Sequence, residues 1–128
     1  MPVLLRQMFG PLPVPDRFRW AVPPSLMVRP WQLRASAAEA ALMIPAAARL
    51  RKRYAELLRM PLKLIAGAAD RVAHVGKHSG RLHREMPSSE LYVLAGAGHM
   101  IHYVAQNAIT EAVAALSRPP ATTAQRSG

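Results

Sequence analysis

The sequence contains no cysteine. That excludes a disulfide, a thiolate nucleophile and any cysteine-ligated metal, and it fits a reducing compartment. Acidic residues are scarce: 7 Asp and Glu stand against 17 Lys and Arg, for a formal net charge of +10. Aromatics make up only 5% of the chain, which disfavours an all-β sandwich. No apolar run is long enough to span a bilayer, and residues 1–15 lack the apolar stretch of a signal peptide. The expectation is a soluble, cytoplasmic protein with no membrane partner.

What is present is helix-forming apolar mass. Hydrophobic residues account for 51% of the 128, mainly Ala, Leu, Val and Met, enough for one small domain with a modest core. The positive charge raises nucleic acid as a partner, but its distribution argues against one. Arg6, Arg17, Arg19, Arg29 and Arg34 are spread singly, and the one dense run, Arg49-Leu50-Arg51-Lys52-Arg53, has only Tyr54 as a neighbouring aromatic. On a helix such a run reads as a solvated face whose stems cover apolar surface. Specific nucleic-acid binding is not expected.

The first third reads as irregular, because prolines cluster at residues 11–15 and 23–24 and each removes an amide donor. Phe18 and Trp20, between the clusters, are expected to anchor this stretch on a partner surface; a proline-rich ligand for a recognition module is the rival reading. Two helices should follow, over residues 32–43 and 46–58, meeting at Pro45 and closed by Pro61. Leu50, Tyr54, Leu57 and Leu58 give the second an apolar face.

The pattern then changes. Residues 62–67 form a short apolar run ending in Gly67, the mark of a strand buried in a parallel sheet. A helix over residues 77–85, a second strand over 90–95 and a helix over 104–116 complete a β-α-β-α order. The last helix should bury Val104, Ala108, Ile109, Ala112 and Leu116. Two strands do not make a stable open sheet alone, so self-association or a protein partner at the exposed sheet edge is expected.

Functional groups of open α/β sheets gather past the carboxyl ends of the strands. The first strand exits into Gly67-Ala68-Ala69-Asp70 and the second into Gly96-Ala97-Gly98-His99. A carboxylate and an imidazole thus leave neighbouring strands at one edge, the arrangement in which an acid fixes a histidine tautomer. Each residue also has a plainer reading. Asp70 can be a turn or helix-capping residue, His99 a loop histidine bonded to backbone, and Gly96 and Gly98 turn glycines. A competing site is His74, His78 and His83, where the first two have helical i, i+4 spacing; no Glu follows His74, and Gly76 interrupts the pair. Exposed histidines on a polar helix are the expectation there, with no metal.

The strand ending in Gly-x-x-Asp at Asp70, the Gly96-x-Gly98-His99 loop and their order resemble the acid and histidine segments of the α/β-hydrolase family. Residues 27–35 resemble the start of a helical lid found in some bacterial members. The resemblance covers about residues 5–116 and implies an α/β fold in three parts. A Pro-rich loop and helical lid would occupy residues 1–60, a two-strand βαβα part of the hydrolase core 61–117, and a disordered tail 118–128. It further implies hydrolysis of an ester-like small substrate with His99 and Asp70 catalytic and no cofactor. The departure from the family is as definite: no Gly-x-Ser-x-Gly elbow and no glycine-rich oxyanion loop occur. The serines, Ser25, Ser36, Ser79, Ser88, Ser89, Ser117 and Ser127, sit in loops, helices or the tail. Three readings follow: a C-terminal fragment inactive alone, a subunit completing a hydrolase with another chain, or a non-catalytic binding module.

Overall fold

The computed structural model describes residues 2–118. In chain order the elements are α1 (Pro2–Phe9), α2 (Asp16–Ala21), α3 (Pro24–Met27), α4 (Pro30–Leu50), α5 (Tyr54–Leu57), β1 (Lys63–Gly67), α6 (Ser79–Glu85), β2 (Glu90–Leu94), α7 (Ile101–Val104) and α8 (Gln106–Leu116). The fold is mixed helix and strand around one two-stranded parallel sheet, β1 beside β2. Lys63 pairs in register with Glu90 and Gly67 with Leu94. At the entry end the Lys63 ammonium bonds Glu90 Oε2 at 2.6 Å and the Tyr92 hydroxyl at 3.3 Å, tying the strands together. The opposite end, where both strands stop, carries Asp70 and His99.

The prolines act differently from the sequence expectation. The first third is not irregular but holds three helices, because prolines sit where helices begin. Pro15 and Pro23 occupy N-cap positions, and α3 and α4 carry Pro in their first turn, where no amide bond is due. The expected pair of helices over 32–43 and 46–58 is instead one 21-residue helix running through Pro45, followed by the separate short α5. Pro45 forfeits a single bond, to the Ala41 carbonyl, and a helix with eight alanines tolerates that loss. At the C-terminus the expected helix over 104–116 breaks at Ala105 into α7 and α8. Neither helix has a fully buried residue: Ala108, Ile109 and Ala112 of the expected apolar seam are half-buried, whereas Val104 and Leu116 are exposed.

The core is small. Phe9, Phe18, Ala66, Met86 and Ala97 are its buried apolar residues. Phe9, Phe18 and Tyr103 meet edge to face, with centroids 4.9–5.6 Å apart, each pair adding about 0.5–1.5 kcal/mol beyond simple burial. Arg17 lies over the Tyr103 ring and bonds Gln106 Oε1 at 3.1 Å. Phe18 therefore anchors on this chain's own α1 and α7 rather than on a partner, whereas Trp20 is 86% exposed. Helix α4 has no buried residue along its length. Among the described residues no helix is long and apolar enough to cross a membrane. The tail read as disordered lies outside the described residues, apart from Arg118.

Candidate functional site: an acid–imidazole pair at the sheet edge

Three backbone strands of chain converge under His99. Beyond β1, the Ala69 amide bonds the Ala97 carbonyl at 2.9 Å, joining the two post-strand loops. The His99 and Met100 amides both donate to the Met8 carbonyl, at 2.9 and 3.3 Å, so the end of α1 forms the third wall. Contact is close enough to require glycine. A Cβ on Gly67 would stand 2.3 Å from the Gly98 oxygen, and one on Gly98 would stand 2.1 Å from the Gly10 oxygen. Gly98 is thus a close-packing residue beneath the histidine, while Gly96 makes the turn itself with φ +68°.

Within this frame His99 Nδ1 lies 2.9 Å from Asp70 Oδ2. Asp70 is 8% exposed. Its other oxygen, Oδ1, accepts from the Val72 and Ala73 amides, each at 2.8 Å. Asp70 thus does two things at once: one oxygen caps the following turn and the other faces the imidazole. Burial is the largest single influence on this carboxyl and raises its pKa. The Ala73 amide, the His99 ring and the Val72 amide together outweigh it and hold the pKa below the ordinary carboxylate value. An ionised carboxylate only accepts, so Nδ1 must carry the proton, which leaves Nε2 of the neutral ring with its lone pair free for proton transfer. Nε2 makes no hydrogen bond among the described residues, and the side chain is 34% exposed. The pair can orient and shuttle a proton. Behind its loop lies a largely apolar cleft of about 330 Å³, lined in part by Leu12, Leu94 and Val104.

No serine of the described residues bonds His99. Ser89 does meet a histidine, its Oγ lying 2.8 Å from His83 Nδ1. It is buried, its own proton goes to the Met86 carbonyl, and it precedes β2 at the opposite end of the sheet. Crossing five strand residues takes roughly 17 Å, so Ser89 fastens a turn and cannot serve His99. Ser117 likewise donates to its own helix, at Val113. The remaining histidines have separate surroundings: His74 lies in the loop before α6, His78 at the N-cap position of α6, His83 is held by Ser89, and the His102 ring lies tilted against Tyr103. Among the described residues no three His, Asp or Glu gather in a way that could hold a metal ion.

The Met8 carbonyl and the aromatic cluster beneath the loop were not signalled in the sequence. Both depend on which remote segment comes to rest there, and a Gly-Pro turn after Phe9 carries no such information. No family model, no curated protein and no solved structure matches this chain.

Proposed function

We propose that this chain supplies the acid and histidine of an α/β-hydrolase-type site acting in the cytoplasm on ester-like small substrates. The serine and its oxyanion donors would come from a separate segment. The observation that carries the reading is the 2.9 Å bond between Asp70 and His99 past the shared C-terminal edge of two parallel strands. In that role His99 Nε2 takes the proton of the attacking hydroxyl and returns it to the leaving group, while Asp70 steadies the imidazolium that forms between the two steps. Among the described residues no serine stands at His99, so on this reading the chain alone forms no acyl-enzyme. The exposed apolar side chains of α4 and of β2, Leu42, Ile44, Tyr92 and Val93 among them, are surface on which a completing segment can pack.

The test uses a fluorophosphonate, which labels activated serines. The purified chain should take no label and should cleave p-nitrophenyl esters no faster than His99→Ala. A complex isolated through this chain from its native cells should take label on the other polypeptide, and the His99→Ala chain should abolish that label. Labelling of a serine in this chain, or labelling of the complex that ignores His99, would refute the reading.

A further inference from the structure

Away from the sheet edge, a cleft of about 570 Å³ opens between the end of α4, α5 and the turn leading into α6. Arg51 reaches it from one side and Lys77, His78 and Arg81 from the other, with Tyr54 and alanines of α4 as the apolar part of the wall. No acidic residue lines it. Arg81 is paired with Glu85 at 2.6 Å, but Arg51 and Lys77 make no salt bridge among the described residues. The backbone beneath these groups is ordered: the Arg51 amide bonds the Ala47 carbonyl, and those of Lys77 and His78 both bond that of His74. The Arg84 side chain further secures the turn at the Gly76 carbonyl, 3.2 Å away.

Like charges converging on a concavity repel one another and concentrate anions there. Two unpaired cations beside a partly offset third suit a dianion better than a single carboxylate, and guanidinium groups match phosphate oxygens in two-point contact. The volume exceeds that of a bare phosphate and falls in the range of small-molecule pockets. Tyr54, in the cleft wall, supplies an aromatic contact for the rest of the molecule. We infer that this cleft binds a small phosphate monoester carrying a ring, at a site separate from the acid–imidazole pair.

Calorimetric titration of the full chain with phenyl phosphate, inorganic phosphate and benzoate at fixed ionic strength tests this. Phenyl phosphate should bind best of the three. Arg51→Ala combined with Lys77→Ala should weaken it about tenfold or more, and Arg34→Ala, on α4 well away from the cleft, should leave it unchanged. Circular dichroism and an unchanged His99 ring spectrum show that the variants are folded. Equal binding by wild type and the double variant, equal loss on Arg34→Ala, or no binding would overturn the inference. So would a duplex oligonucleotide that binds more tightly than phenyl phosphate with the same dependence on Arg51 and Lys77.

Discussion

Replacing Asp70 by Asn tests the centre of the site with the smallest change of shape. The amide oxygen can still accept from the Val72 and Ala73 amides, as Oδ1 does at 2.8 Å. The amide nitrogen, now a donor, faces His99 Nδ1, so that ring nitrogen must give up its proton and Nε2 must take it. A bond to a charged group is worth about 1.5–3 kcal/mol and a neutral one about 1. With a side chain only 7% exposed, the variant should lose about 1 kcal/mol at pH 7. The wild-type advantage has a definite pH course. Because folding depresses the Asp70 pKa, its stabilisation is complete above the unfolded value of about 3.9 and disappears as pH falls through the folded value. Urea melts of both proteins should therefore differ at pH 7 and coincide near the acid limit of folding. Long-range ¹H–¹⁵N spectra above pH 8 should show His99 as the Nδ1–H tautomer in the wild type and Nε2–H in the variant. Identical tautomers, or a stability gap that survives acid, would refute the carboxylate–imidazole geometry.

Gly98→Ala should destabilise the chain by about 1–3 kcal/mol or more in denaturant melts, since the added methyl meets the Gly10 carbonyl, which has no rotamer to yield; a neutral outcome would mean that the α1 end does not pack under His99. Sedimentation should show association that strengthens with added salt, because screening relieves the repulsion of a +10 chain while its apolar surface remains. A monodisperse monomer that melts cooperatively at every salt concentration would show that the exposed faces need no partner.

The sequence made the Asp70–His99 edge legible for local reasons. A buried parallel strand is a short apolar run, and a glycine at its end marks where the backbone must turn or pass close to another segment. Both strands carry the short apolar run and the glycine after it, although only β1 has buried residues while Tyr92 and Val93 of β2 are exposed, and the acid and the histidine follow within a few residues of each glycine. The helices were less legible, because proline reports a missing amide without saying whether that amide was needed. At Pro24 and Pro30 it was not, and helices start there; at Pro45 it was, and the alanines carry α4 past it. Phe18 and Trp20 are two residues apart with the same sequence surroundings, yet one is 6% exposed and the other 86%. Only the placement of Phe9 and Tyr103, remote in the chain, decides between them.

The accessible surface sharpens the case for a completing segment. The chain exposes 9928 Å², whereas a compact chain of 14.0 kDa exposes about 6,700 Å². Allowing about 1,600 Å² as an upper bound for the eleven residues outside 2–118 still leaves a similar excess. Helix α4 is the visible source, since all 21 of its residues are exposed, Leu42, Met43 and Ile44 in succession among them. A solvated surface helix keeps its apolar residues on one stripe against a core. Here Trp31, Leu33, Leu42 and Ile44 have no core to face. A second copy could cover them only against the repulsion of two +10 chains. An acidic partner meets no such repulsion, and one that also lies against the open sheet edge would be placed to bring a serine to His99 Nε2.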